Sequence, residues 1–285
     1  MAGLLQDKAA IITGGSQGIG KSIARAFLTE GCSCLLVART HSALEAAVSE
    51  LSSIGPQVLA LAADVASPDD ASALVDQALT NLGSIDILVN CAGIYGPIGP
   101  SADVDPNAWW GVLRVNLFGT FLCTRAVLPH MLRQGHGKVI NLAGGGASTP
   151  FPRFSAYAAS KAAVVRLTET LAEELRGSGV DVNAVAPGPV NTRLLDQVLA
   201  AGEVAGQEFL RRSQQQKAEG GTPPERAAEL AVFLASSLSD GLSGRLISAV
   251  WDDWRNMAAH VSEIMASDLY TLRRVNATAS NGGRR

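Results

Sequence analysis

Three features of the sequence predict an α/β fold, with one doubly wound parallel sheet of about seven strands flanked by helices. Short apolar runs alternate with longer helical patterns from residue 8 to residue 250, and such alternation builds strand-helix-strand units that lie parallel. Several runs, 85–89 above all, are apolar at nearly every position, as strands covered on both faces must be. The first run leads directly into the turn Gly14-Gly15-Ser16-Gln17-Gly18-Ile19-Gly20 and then into a helical pattern. That order of strand, glycine turn and helix opens a nucleotide-binding unit.

Size and composition set the frame. The chain has 285 residues, 47% hydrophobic and 17% charged, with 29 glycines, which suits one globular domain rich in tight turns. A formal net charge of −3 argues against nucleic acid or an anionic membrane as partner, since phosphates call for a concentrated basic surface. No apolar run is expected to reach the roughly 18 residues of a membrane span, and Asp7 and Lys8 beside the first strand do not make a secretory signal. A soluble, cytoplasmic protein is expected. Cys32, Cys34, Cys91 and Cys123 lack metal-ligand spacing, and the histidines at 41, 130, 136 and 260 lie scattered, so no metal site is expected.

Residues 8–13 form the first strand, and the glycine turn feeds a helix to residue 30. Glycine allows the turn and a close approach to a pyrophosphate, whose charge sits on the free amides of Ser16, Gln17, Gly18, Ile19 and Gly20 at the helix N-terminus, with Gly14 opening the turn. The second strand, 32–38, ends in Ala38-Arg39-Thr40. The ribose 2′ position of a dinucleotide lies there, and an arginine suits a 2′-phosphate where an acid would suit a hydroxyl. NADP is therefore expected over NAD. A helix at 42–54 and a third strand at 57–63 end in Asp64-Val65, where Asp64 can reach the adenine or cap the next helix.

A helix at 68–82 and the apolar strand 85–89 lead to Asn90-Cys91-Ala92-Gly93. A long helix from 107 towards 133 carries Asn116, a polar residue that needs a partner inside an apolar helix. The fifth strand, 137–142, runs into the glycine-rich stretch 143–147, and the following helix, to about residue 176, carries Tyr157 and Lys161. Four residues apart, these two share a helix face, and an ammonium held near a phenol favours the phenolate. Tyr157 can then act as general acid and base. After a sixth strand at 180–185, Pro187, Gly188, Val190 and Thr192 form a rigid exit suited to closing over a nicotinamide. Residues 191–220 read as a helical substrate lid. Thr222 is expected to cap a helix with Pro223 at its first position, and 242–250 supplies the seventh strand. Residues 1–250 thus make one dinucleotide-binding and catalytic domain. The tail at 251–285 carries Trp251, Trp254 and Tyr270, aromatics suited to docking on the domain or on a neighbour, and its end, 276–285, reads as disordered.

Taken together, Thr13-Gly14-x-x-x-Gly18-x-Gly20, Asp64, Asn90-x-Ala92-Gly93, Asn116, Tyr157-x-x-x-Lys161 and Pro187-Gly188 resemble the short-chain dehydrogenase/reductase family over residues 5–250. The resemblance implies a Rossmann-type fold and hydride transfer between NADP and a secondary alcohol or ketone, in a homotetramer or dimer. It implies Tyr157 as proton donor or acceptor, Lys161 as holder of the nicotinamide ribose, Asn116 in a proton relay, and Asn90, Ala92 and Gly93 along the cofactor. The chain departs from the pattern at two points. Cys91 stands where many members have a second asparagine, and Gly144 stands at the catalytic serine. A glycine cannot offer the hydroxyl that holds the substrate oxygen. Ser148 is the first hydroxyl after it. Ser148, an amide of the glycine turn, or nothing replaces that donor, and in the last case the chain is an impaired enzyme or a cofactor-binding protein with little turnover. A retained-cofactor isomerase or dehydratase is a third reading of the same tyrosine.

Overall fold

A computed structural model describes residues 3–275; the tail end at 276–285 lies outside the described residues. Seven strands, β1 (Ala9–Thr13), β2 (Ser33–Ala38), β3 (Val58–Ala62), β4 (Ile87–Asn90), β5 (Gly137–Leu142), β6 (Val180–Ala186) and β7 (Leu246–Ser248), form one sheet. Their order is β3-β2-β1-β4-β5-β6-β7 and every pairing is parallel. The strand order reverses between β1 and β4, which opens a crevice beyond their C-terminal ends. Thr13 ties its two sides together: its Oγ1 donates to the Val89 carbonyl and accepts from the amides of Cys91 and Ala92 at 3.1 and 3.2 Å.

Alternation along the strands builds two cores. Ala10, Ile12, Cys34, Leu36, Ile87, Val89 and Ile140 face α1 (Gly18–Thr29), α2 (His41–Leu51) and α9 (Pro224–Ala235), where Ile23, Phe27, Leu44 and Leu230 meet them. Ile11, Leu35, Val37, Leu88, Val139 and Val182 point the other way. They pack on Leu74, Val75, Cys123, Val127 and Leu171 of α3 (Pro68–Leu82), α5 (Gly119–Gln134) and α6 (Ser155–Glu174). A sheet with period-two side chains, apolar on both sides, needs a helical layer on each.

Several elements differ from their sequence expectation for physical reasons. The expected long helix is α4 (Pro106–Leu113) and α5 joined through a π-helical turn, Arg114–Phe118, which carries Asn116. By length and composition this run, Pro106–Gln134, is long and apolar enough to cross a membrane, against the expectation that no run would be, and 44% of its most apolar window is buried inside the fold, as in a core helix. Part of its face packs on α3 and α6, and Trp110, Phe118, Phe121 and Leu132 stay exposed. The seventh strand shrinks to three residues; the Ala249 amide adds one more bond, to the Ala186 carbonyl at 2.9 Å, while Leu242 joins the core ahead of the strand. Pro224, not Pro223, starts α9. Thr222 is therefore too early to cap it, and pairs with Val190 in an isolated bridge, its amide donating to the Pro189 carbonyl at 2.9 Å. The lid consists of α7 (Arg193–Ala201), a short 3-10 turn and α8 (Gln207–Glu219). The tail docks on its own domain: Trp254 is buried against Phe233, and Arg245 donates to the carbonyls of Ile264 and Ser267.

At the N-terminal end of the central strands Asp86 gathers the strand starts. Its carboxylate accepts from the Ala9 amide at 2.9 Å, from Ser84 Oγ at 2.9 Å and from Lys8 Nζ at 3.2 Å, and His136 Nε2 lies 3.0 Å away. Burial alone raises this carboxyl, but the Ala9 amide, His136, Ser84 and Lys8 together hold it below its ordinary value. A lowered folded-state value means stability that is full above the unfolded pKa of about 4 and lost as pH falls through the folded one. Asp86→Ala strands the Ala9 amide and is expected to cost about 1–3 kcal/mol in urea unfolding at pH 7, with the gap to wild type closing below pH 4.

Candidate active site

The crevice begins at the glycine turn. Gly14, with φ of 67°, brings its backbone so near the end of β4 that a Cβ there would lie 2.9 Å from the Ala92 amide. A Cβ on Gly20 would collide with the Gly14 carbonyl, so only glycine lets α1 start this close to β1. No side chain caps α1, which leaves the amides of its first turn open to an anion. Arg39 is exposed just past β2, and it makes no ion pair among the described residues. Thr192 caps α7 through the Leu194 amide and returns to within contact of the glycine turn, its Cγ2 3.5 Å from where a Gly18 Cβ would sit. A close glycine cradle and an uncapped helix start fit the pyrophosphate of a nicotinamide dinucleotide. Gly14, Ser16, Gln17, Gly18, Ile19 and Gly20 would hold its pyrophosphate, and Arg39 and Thr40 its ribose end.

Other expected cofactor contacts separate on inspection. Asp64 closes a local turn, its Oδ1 accepting from the Ala66 amide at 3.0 Å, and Ser67, not Asp64, caps α3. Asn90 is buried, and its Nδ2 donates to Thr124 Oγ1 and Asn141 Oδ1 at 3.0 and 2.9 Å. Its side chain thus braces the sheet against α5, and only its backbone can face a cofactor. Gly93 does reach the centre: a Cβ there would lie 3.4 Å from Asn116 Oδ1 and 3.6 Å from Lys161 Nζ.

Asn116 answers the question of its partner. Its Oδ1 accepts from the Ile94 amide at 2.9 Å, and its Nδ2 donates to the Ile94 carbonyl and to Ser160 Oγ, both at 3.0 Å. Ser160 in turn donates to the Tyr157 carbonyl at 2.7 Å. One amide side chain therefore locks the loop after β4 and the π turn to the helical turn carrying Tyr157 and Lys161. Lys161 Nζ donates to the Leu142 carbonyl at 2.6 Å, and lies 5.7 Å from the centre of the Tyr157 ring.

Electrostatics here run against the expectation of an acidified phenol. Burial pushes the Tyr157 hydroxyl above its ordinary value, and Tyr95 and Cys91 add to this. Burial also lowers Lys161 to about 8, and burial remains the dominant influence on the phenol. Cys91 is pushed up to about 11 by burial, with Lys161 opposing. The site holds a neutral phenol.

The cavity above Tyr157 encloses about 670 Å3, running from Ile19 to the lid. Sequence reasoning missed most of its wall. Tyr95 meets Tyr157 edge-on at 4.5 Å, Phe151 stacks on Phe154 at 4.3 Å, and Phe209 of α8 stands edge-on to both phenylalanines at 5.0 and 5.1 Å. Leu194, Leu195 and Val198 of α7 and the exposed Trp251 complete it. The only signal was the spacing of Phe151, Phe154 and Tyr157, whose rings point the same way ahead of and into α6. Ser148 lines the mouth with an exposed side chain. Gly144 sits beneath Tyr157, and a Cβ there would collide with the Tyr157 Oη.

A parallel sheet with a nucleotide crevice at its switch point, and a buried tyrosine-lysine pair beside it, defines a nicotinamide-dependent oxidoreductase acting on alcohols or ketones. The match to the short chain dehydrogenase model covers residues 8–202. A short chain dehydrogenase of Pseudocercospora fijiensis is 43% identical over 194 residues, 67% of this chain and 62% of that protein. The 2-(S)-hydroxypropyl-CoM dehydrogenase 3 of Xanthobacter autotrophicus is 34% identical over 244 residues, 86% of this chain and 95% of the relative. Among solved structures, a 7α-hydroxysteroid dehydrogenase complexed with NADH and 7-oxo glycochenodeoxycholic acid superposes with a TM-score of 0.77 at 32% identity, covering 86% of this chain and 93% of its own. The chain belongs to the short-chain dehydrogenase/reductase family.

Because Lys161 is lowered to about 8 from about 10.5, burial of its charge destabilises the fold below pH 8 and is relieved as pH rises towards 10.5. Wild type is expected to gain up to about 3 kcal/mol on Lys161→Met across that window, read from urea unfolding at pH 7 and pH 10.

Proposed function

We propose that the protein is an NADP-dependent reductase of uncharged, apolar ketones. The observation that carries this is the neutral Tyr157 hydroxyl facing an aromatic-walled cavity beside Lys161 and Gly93. Apart from Lys161, the cavity wall offers no cation that would hold a carboxylate or phosphate, and Asp252 at its edge repels one. When bound, the nicotinamide supplies the hydride to the carbonyl carbon. Tyr157 donates its proton to the carbonyl oxygen and is reprotonated from solvent. Lys161 and the Asn116 clamp hold the phenol and the ribose side of the crevice in place. Arg39 supports the preference for the phosphorylated cofactor, because its guanidinium makes no ion pair among the described residues. Asp64, Val65, Asn90, Ala92, Gly93, Pro187, Gly188, Val190 and Thr192 make up the rest of the proposed cofactor wall. Four unpaired cysteines suit a reducing, cytoplasmic location.

NADPH should bind more tightly than NADH in fluorescence titration. Arg39→Ala should weaken NADPH by about 1.5–3 kcal/mol and leave NADH nearly unchanged; equal losses for both would remove Arg39 from the reading. With NADPH and a panel of ketones, Tyr157→Phe should abolish turnover while cofactor affinity stays at the wild-type value. Wild-type protein that binds NADPH yet turns over no ketone would instead favour a cofactor-binding protein, the reading that Gly144 first raised.

A homo-oligomer is proposed as well, with a second copy covering the face of α4 and α5. Trp110 is 59% exposed there, and Phe118 and Phe121 stack on each other at 6.3 Å on the surface, a patch that a monomer rarely leaves in water. Sedimentation should give a dimer or tetramer, and Phe118→Glu should shift it towards the 29.5 kDa monomer. A wild-type protein that sediments only as monomer would overturn this.

A further inference from the structure

The stretch that replaces the usual serine is built as a turn. The Ala147 amide donates to the Gly144 carbonyl at 3.2 Å, Gly146 has φ of 85°, and Gly145 is not among the residues of positive φ. These are the features of a type II turn with Gly145 and Gly146 at its centre. The turn is clamped from beneath, since a Cβ on Gly146 would lie 2.6 Å from the Ala158 Cβ of α6. Its bond to Ala147 uses one amide. Those of Gly145 and Gly146 have no protein acceptor among the described residues, and both residues line the cavity.

Tyr157 completes the arrangement. Its hydroxyl stands over the Gly144 Cα, in the space where a side chain at 144 would begin. A substrate oxygen accepting the Tyr157 proton is therefore brought over the Gly144–Gly145 peptide, whose nitrogen is two bonds from that Cα. Ser148 is less well placed, because it lies beyond the turn with its side chain in solvent.

The geometry assigns the main-chain amide of Gly145 as the second hydrogen-bond donor to the substrate carbonyl oxygen, in place of a side-chain hydroxyl. This rests on the ketone reductase reading above. The amide costs no reorganisation as charge develops on the oxygen, since the turn and α6 already fix it. Glycine at 144 is then a requirement of the site and not a loss, because a larger residue would push the phenol out of line.

Proline is favoured at the first central position of a type II turn and lacks only the N–H. Gly145→Pro should lower kcat about a hundred- to a thousand-fold with NADPH affinity unchanged. Gly145→Ala keeps the amide and places its Cβ 3.4 Å from Phe151, an ordinary contact, so its kcat should fall at least tenfold less than that of Gly145→Pro, and Ser148→Ala should likewise lose little. Equal losses in the alanine and proline variants, or a large loss in Ser148→Ala, would overturn the assignment. Gly144→Ser should lower turnover, and a tenfold rise would show that a donor had been missing. A measurement without turnover uses wild-type protein labelled with 15N-glycine and saturated with NADP+ and cyclohexanone, a pair that cannot react. The Gly145 amide proton, identified by its absence in Gly145→Ala, should move downfield; shifts confined to Gly144 or Gly146, or none at Gly145, would overturn the proposal. Ketone turnover by wild type separates a failure here from a failure of the reductase reading itself.

Discussion

Everything at the active centre hangs on one fully buried asparagine. Asn116 has two donors and an acceptor, and it uses them on the main chain of Ile94 and the hydroxyl of Ser160. Left unpaired in this interior, those groups would each cost on the order of 1–3 kcal/mol, so the clamp resists slipping. The π turn is its backbone counterpart. One extra residue in the helix at Arg114–Phe118 re-aims the side chain from the α5 packing face towards β4 and α6. A polar chain continues from there. Thr120 Oγ1 donates to the Asn116 carbonyl, Thr124 to that of Thr120, and Asn90 joins Thr124 to Asn141 and so to Thr168 on α6. The two helices on this face are thus registered against β4 and β5 by directional bonds, where apolar packing alone would tolerate small shifts.

Rigidity and dryness together set the chemistry. Burial keeps Tyr157 protonated and makes Lys161 reluctant to hold its charge, the state that the proposed carbonyl reduction calls for. The aromatic wall extends that dryness upward. Tyr95 and Phe151 meet the phenol edge-on, and the stacked Phe151 and Phe154 are met edge-on by Phe209, arrangements that aromatic rings favour and that fix ring planes as well as positions. The lid contributes Phe209 from α8. It is latched to the β6 exit by Gln216, whose Nε2 donates to the Pro189 carbonyl and to Asn191 Oδ1 at 3.0 Å each. Cofactor loop and substrate lid therefore share one hydrogen-bonded hinge, and movement of one is felt by the other.

Gly144 shows why a departure from a family pattern is best read in three dimensions. As a letter it is a lost hydroxyl. In the fold it is the floor on which the Tyr157 hydroxyl rests, and its neighbours form a turn whose amides are already fixed in place. A main-chain donor is preorganised by the turn itself, whereas a serine must also hold a rotamer.

The sequence by itself determined the sheet, its helical layers and the glycine turn between β1 and α1, because these depend on local signals. Period-two and fully apolar runs define strands, 3.6-residue patterns define helices, and glycines mark the turns where backbone must approach backbone. The pairing of Tyr157 with Lys161 was legible for the same reason, since both lie on one helix. Tertiary structure alone decided what long-range contacts control. The partner of Asn116 is 22 residues back in one direction and 44 ahead in the other, and no local pattern encodes either. The seventh strand and the α9 cap were misjudged where tertiary bonds, Thr222 to Pro189 among them, overrode local preference. The direction of the Tyr157 shift likewise depended on burial by Tyr95 and Cys91, residues remote in sequence. Charge along a chain can be counted, but its solvation is a property of the packed core.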